Sequence, residues 1–343
     1  MGASRARYEW IDLLRGAAVV GMVWTHAANT FLDASLQATR GYAEMSYYHG
    51  LVAPTFFWLA GYMRGLSAAR PGPRKPAGHT IRRLLMILAT GYLLHLPWLV
   101  AVHWQINADV LRVLLQSDVL QCLAVSCLLL LVVERALPRA LAAWVAAALG
   151  IAVVLVTPTM AETATGIIPL DAYLSKQNGS LFPLFPWAAF ACAGFVVGET
   201  RSMGWALGFA AALAAFGLPW VPGHSSTFSF FFERLGWVTM IAVLVKKGCS
   251  FLLNRNVALP RWLLLAGRNS LVVYVAHLVL IYATPFCGGR TLEQYLGPTQ
   301  PPWVVAGFFV CLLLASLLPA WGNDWRNARR KKNEMAACGA LGS

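Results

Sequence analysis

Charge is what this chain has least of. Charged side chains make up 12% of the 343 residues and only 14 are acidic, against 58% hydrophobic residues and a mean hydropathy of +0.60. A soluble globular domain carries about 25% charged residues, so that class is excluded and the chain reads as a polytopic membrane protein. The seven cysteines (122, 127, 192, 249, 287, 311 and 338) include no CxxC and no Cys/His spacing, which leaves a zinc centre without ligands. Most lie in apolar runs, where a thiol packs as a small hydrophobe. Cys287 is alone in a predicted outer loop and has no second cysteine there to close a disulfide. No small-residue cleavage site follows the first apolar run, which begins after Arg5, Arg7, Glu9 and Asp12 and reads as an uncleaved span. No internal repeat is visible, which weighs against inverted-repeat transporters.

What is abundant is apolar sequence in segments of spanning length. Hydropathy predicts ten spans, at about 11–31, 50–68, 83–103, 116–134, 140–157, 182–199, 204–221, 233–248, 262–285 and 302–322. Segments 105–115 and 249–261 are alternatives as interfacial helices. The net charge of +13 is spread over short loops rather than gathered on one domain, so nucleic-acid binding is excluded as its cause. With the N-terminus inside, twenty Lys and Arg fall on inner segments and five (Arg40, Arg112, Lys176, Arg234 and Arg290) on outer ones. That asymmetry predicts both termini in the cytoplasm and an even span count. The fold expected is an all-α transmembrane bundle filling residues 1–325, followed by a basic cytoplasmic tail, 326–343, that meets lipid headgroups. Two outer loops, 32–49 and 158–181, are long enough to carry function. The inner loop from Arg70 to Pro76 is a turn-rich basic linker.

Polar groups at membrane depth are costly and persist to face a cavity, a ligand or one another. The first span carries two, Arg15 at its mouth and His26 about two-thirds of the way through. At about 1.5 Å per residue they stand roughly 16 Å apart along the axis. A phosphate-rich carrier gripped at Arg15 would present its reactive tip near His26. A salt bridge or a snorkelling arginine is the structural alternative. Arg64 falls near the same inner level, where two arginines suit a polyanion and snorkelling explains Arg64 equally well. Ser270, Tyr274 and His277 follow i, i+4, i+7 spacing and form one polar stripe, with Asn269 at the inner mouth of that helix. His26, His95 and His277 lie at comparable depth and together suit a reaction chamber; each alone suits a helix–helix hydrogen bond. Asp118 and Gln121 lie one turn apart at the outer end of the fourth span.

These residues carry a resemblance. Ile11-Asp12-x-x-Arg15-Gly16 running to Met22-Val23, then Ala53-Pro54 and Phe56-Phe57-Trp58-Leu59-Ala60-Gly61, resembles the opening of the heparan-alpha-glucosaminide N-acetyltransferase catalytic family. Val119-Leu120-Gln121 is similar to that family's Val-Leu-Gln signature. Phe185-Pro186-Trp187 with Gly194 and Gly198 is similar to its mid-chain span. Gly267 with Asn269-Ser270-Leu271-Val272-Val273-Tyr274-Val275-x-His277 is similar to its late helix. The type-3 acyltransferases and glucan succinyltransferases share the Arg-Gly…His first span. The resemblance implies a bacterial-type member that takes acetyl-CoA, or another acyl-CoA, from the cytosol and acylates an amino sugar on the opposite face. His26 stands where the animal enzymes have an asparagine beside the acetyl group. His49 is the approximate counterpart of their outer-loop catalytic histidine, and Leu278 replaces a glutamate.

The expectation from sequence is therefore an inner-membrane acyl-CoA-dependent N- or O-acyltransferase. Its partners are acyl-CoA, a glycan or amino-sugar acceptor and the bilayer, with no metal and no nucleic acid; a homodimer is left open. Acyl transfer needs a base for the proton of the nucleophile, and a neutral histidine suits that near pH 7. His26 is the first candidate and His49 the second. Arg15 and Arg64 are assigned to phosphate, and Gln121, Asn269, Ser270, Tyr274 and His277 to the carrier arm or the oxyanion. The competing expectation is a transporter or flippase of a sugar- or lipid-linked substrate.

Overall fold

The computed structural model describes residues 2–72, 76–96, 107–176, 179–201, 206, 226–283 and 290–340. The expected seventh span, 204–221, lies almost wholly outside the described residues, as do 97–103 of the third, the last two residues of the ninth, Arg74, Lys75 and Cys287. The described chain is helical, and its only strand-like pairing is an isolated bridge, Leu32 to Gln300.

Among the described residues, four helices are long and apolar enough to cross a membrane: Val119–Ala136, Leu141–Glu162, Phe228–Asn254 and Pro302–Arg326. A fifth candidate is a pair, Arg261–Arg268 and Ser270–Ala283, bent by 81°. The other expected spans fall short of that measure for visible reasons. Leu184–Thr200, at 17 residues, is apolar but short; Val52–Ala68 and Gly78–Leu93 are shorter than 18 residues as well. The first helix is interrupted by Thr25, His26, Asn29 and Thr30. The protein is a helical membrane protein.

The chain divides into two compact units. Unit one comprises Met1–Val52 and Leu244–Ser343. Its helices are α1 (Gly2–Phe31), α2 (Ala34–Gln37) and α3 (Arg40–His49) from the first segment. From the second segment come α12 (Arg261–Arg268), α13 (Ser270–Leu278), a π-helical turn (Val279–Ala283), α14 (Leu292–Leu296) and α15 (Pro302–Ala340). Glycine sets the packing of α1 on α12. A Cβ at Gly16 would overlap the Leu263 carbonyl, and one at Gly267 would overlap the Asp12 carbonyl, so both motif glycines exist for close backbone approach. Farther along α1, Trp24 meets Phe309 edge-on at 5.3 Å, and Phe31 meets Phe308 at 5.3 Å. The end of α1 is tied down by the Gln37 amide, which donates to Leu32 O at 2.8 Å, and by Asp33 N–H donating to Gln300 O at 2.9 Å. On α15 the exposed tryptophans are Trp303, Trp321 and Trp325, and Arg329 lies 3.8 Å over the Trp325 ring.

Unit two comprises Ala53–Val243. It holds α4 (Val52–Ala68), α5 (Gly78–Leu93), α6 (Ala108–Leu115), α7 (Val119–Ala136), α8 (Arg139–Glu162), α9 (Ile168–Leu174), α10 (Leu184–Thr200) and the first part of α11 (Ser226–Asn254). Here α4 and α10 interlock through four glycines. Gly61 faces the Ala191 carbonyl, Gly65 that of Phe195, Gly194 that of Trp58 and Gly198 that of Tyr62. The i, i+4 spacing on both helices puts each glycine pair on one face. The expected interfacial segment 105–115 is the short helix α6, capped by the Asn107 side chain with Asp109 in its first turn and Arg112 in its last, each placed to suit the helix dipole. The expected segment 249–261 is not a separate helix, because α11 runs on to Asn254. The outer loop 158–181 is shorter than expected: α8 reaches Glu162, and α9 follows, its entry closed by the buried Asp171 carboxylate accepting from Thr165 N–H and Gly166 N–H.

Candidate functional site

Residues from the two ends of the chain form a candidate site within unit one. At one level of α1, Asp12 faces two guanidinium groups: Arg268 Nε lies 3.2 Å from one carboxylate oxygen and Arg15 3.9 Å from the other. Two guanidinium groups thus share one carboxylate. Beside it the buried Asn269 marks the 81° break between α12 and α13. Its side-chain amide donates to Leu265 O at 3.2 Å, and its Oδ1 accepts from the Asn323 amide at 2.6 Å. Those bonds satisfy polar groups exposed by the break. Ser270 opens α13, half-buried.

Deeper along α1 lies the second part. The His26 and His277 rings have centroids 5.1 Å apart. His277 is fully buried, and its Nδ1 donates to the Val273 carbonyl at 2.9 Å. That bond leaves the lone pair on Nε2, which has no hydrogen-bond partner among the described residues. Tyr274 meets the His277 ring edge-on at 5.7 Å, so two members of the expected polar stripe of α13 touch. Sequence reading missed two further members. Tyr282 Oη lies 3.2 Å from His26 Nδ1 and 2.9 Å from Thr30 Oγ1. Thr30 is i+4 from His26 and legible as such. Tyr282 is not, because five positions past His277 in an α-helix lie about 140° away; the π turn, with its i→i+5 repeat, returns them toward one face. Arg268 was also missed, counted only as a loop cation.

His49 ends α3, in the expected outer loop 32–49. Burial lowers its pKa below the ordinary 6.5, and both ring nitrogens are buried without a hydrogen-bond partner among the described residues.

Other expected site residues belong to unit two. Arg64 is ion-paired with Glu134, both largely buried, so its charge is already answered. Gln121 is fully buried, its amide without a partner among the described residues, in space that Gly91 provides: a Cβ there would come within 2.6 Å of the Gln121 side chain. His95 donates at Nε2 to Asp118 Oδ2 (2.9 Å) and at Nδ1 to Leu114 O (3.1 Å). Both ring nitrogens are engaged, so His95 has no lone pair for base chemistry. Among the described residues no three or more His, Cys, Asp or Glu side chains are grouped to hold a metal.

Comparison with protein families matches residues 7–216 to the heparan-alpha-glucosaminide N-acetyltransferase catalytic family. The chain belongs to this family. Comparison with curated individual proteins gives no match. The matched region contains Arg15, Gly16, His26, His49, the interlocked glycines of α4 and α10, and Gln121. The Gly267-to-His277 motif lies beyond its end, yet the fold packs that motif directly on the matched α1. Family membership makes the protein a membrane-bound transferase of the acyltransferase kind.

Proposed function

We propose that this member of the N-acetyltransferase family takes the acetyl group of cytosolic acetyl-CoA and transfers it to an amine or hydroxyl of a glycan on the opposite face of the inner membrane. The observation that supports this most is the division of α1 into a cationic level at Arg15 and Arg268 and a histidine level at His26 and His277. A long carrier with phosphates at one end and a thioester at the other fits that spacing. Arg15 and Arg268 hold the phosphates by charge-assisted hydrogen bonds. Asn269, Ser270 and Tyr274 line the path of the pantetheine arm. The nucleophile attacks the thioester carbon, a C–N or C–O bond forms, and the C–S bond breaks. The nucleophile's proton passes to a histidine, His26 or His49, and CoA leaves as the thiolate. Arg64 and Gln121 support unit two from its interior, which fits their burial better than a phosphate or carrier contact. A transporter or flippase has no specific observation in its favour.

The test measures acetyl-CoA binding by thermal shift and acetyl transfer to glucosamine. Arg15→Ala and Arg268→Ala should each weaken acetyl-CoA binding by about 1.5–3 kcal/mol, roughly 10- to 150-fold, with acceptor affinity unchanged. Unaltered binding in both variants sinks the assignment of the cationic level.

A further inference from the structure

We infer that Glu293 is a further substrate-binding residue of unit one, a carboxylate at the edge of the histidine level that meets a positively charged group of the acceptor. The inference rests on the acyltransferase reading above for its substrate and on the packing of α14 for its place. The segment after α14 is fastened to the end of α1 and the entry of α2. Asp33 N–H donates to Gln300 O at 2.9 Å, Ala34 N–H to Pro298 O at 3.0 Å and Gln300 N–H to Phe31 O at 2.8 Å. Thr291 and Gln294 close the first turn of α14 with a capping box, side chain to backbone in both directions. Held in this way, α14 packs on the π turn and on α1. Glu293 lies close enough to Tyr282 for its charge to act there, and Tyr282 Oη is 3.2 Å from His26 Nδ1. The twenty-to-five distribution of basic residues expects this end of unit one on the outer face, the side from which the acceptor comes.

Most acids of the chain that protein surrounds have their charge met. Asp12 faces two arginines, Glu44 pairs with Arg40, Asp109 with Arg112 and Glu134 with Arg64. Asp33 accepts from the Ser35 hydroxyl and Asp171 from that of Thr165. Glu293 differs. Burial raises its pKa above the ordinary 4.5, and among the described residues no cation or hydrogen-bond donor offsets that cost. Its side chain is still exposed enough to be reached. A carboxylate that has lost part of its water and gained no partner suits a ligand that brings its own positive charge. A protonated amine brings that charge and a hydroxyl does not, so Glu293 favours an amine-bearing acceptor. The step is one of binding, and no bond is made or broken in it. The first turn of α14 also favours an acid through the helix dipole, a role that needs no ligand.

The experiment titrates the full-length protein in nanodiscs with glucosamine and with glucose, which has a hydroxyl in place of the amine, and follows binding by saturation-transfer NMR. Wild type should prefer glucosamine. Glu293→Gln should bind glucosamine about 10-fold more weakly, the order expected for one charge-assisted contact, and bind glucose as before. Glu293→Asp should recover part of the loss. In acetyl transfer, Glu293→Gln should raise KM for glucosamine by the same factor while kcat and KM for acetyl-CoA hold. Glu44→Gln removes an equal charge from α3 and should leave glucosamine affinity unchanged. Unaltered glucosamine affinity in Glu293→Gln overturns the inference and leaves Glu293 its dipole role alone. An equal loss for glucose, an equal loss in Glu44→Gln, or a wild type without preference overturns it too. If wild type shows the preference yet transfers no acetyl group, the acyltransferase reading fails and the cation site stands.

Discussion

Two residues isolate the local physics best. His49 is a base that burial keeps neutral. The unfolded chain takes up a proton there near pH 6.5 while the folded chain does not, so the unfolded state binds more protons below that pH. Folding stability should then fall as pH drops from 6.5 toward the lower folded pKa and be unaffected by His49 above it. Melting curves of wild type and His49→Gln from pH 5 to 7.5 check this: the variant should lose less on the acid side. Where His49 rather than His26 takes the nucleophile's proton, His49→Ala should lower turnover by roughly 10²–10⁴-fold with acetyl-CoA binding intact. Arg64 makes the opposite case. Removing it leaves Glu134 buried and unanswered, so Arg64→Ala should destabilise by about 3–5 kcal/mol, and Arg64→Met with Glu134→Leu should regain most of that. Thermal melts of the single and double variants distinguish this from a phosphate role, which would alter binding instead. Arg15, His26 and His277 were legible in sequence as polar groups of apolar helices, and the fold brings the two histidine rings together. Sequence paired Arg15 with Arg64 because depth along a helix can be counted from sequence. Which arginine shares a neighbour with Arg15 depends on tertiary packing, and the fold supplies Arg268.

At the scale of elements, the helices meet through glycine. A methyl at Gly267 or Gly16 has no room against the opposing backbone, so Gly267→Ala should cost about 1–3 kcal/mol by overpacking. It should also loosen the Arg15 and Arg268 level and weaken acetyl-CoA binding. Gly307 on α15 faces no atom within 4 Å, and Gly307→Ala should be neutral or stabilise by up to about 1 kcal/mol. Equal effects at the two sites, measured by thermal melts, would refute backbone contact as the reason for the motif. The glycines were legible in the sequence as motif members, but not what they touch. The break at Asn269 was half legible: an asparagine at a helix mouth was expected, but neither the 81° bend nor the Asn323 amide from α15 that bonds Asn269 there could be read from local sequence. The π turn left no trace in the apolar pattern.

For the whole molecule, the twenty-to-five distribution of basic residues predicts sidedness. Single cysteines placed in 158–181 should react with an impermeant reagent from outside, and those in 70–82 only after the membrane is opened. Labelling of both from one side would reverse or abolish the proposed direction of transfer. Helical class and membrane residence were readable from composition alone. The number of spans was less so, since hydropathy cannot separate a short helix that packs inside protein from one that crosses lipid. The tryptophans of α15 have a consequence of another kind. Trp321 lies eighteen positions after Trp303, about 27 Å along a helix axis, and indoles prefer the boundary between headgroups and hydrocarbon. Together they form a ruler close to the thickness of an ordinary hydrocarbon layer. In a much thicker or thinner bilayer that ruler no longer fits, and α15 must tilt or the lipid must deform to match it. The choice of host lipid thus becomes a variable of the protein's behaviour, independent of any ligand.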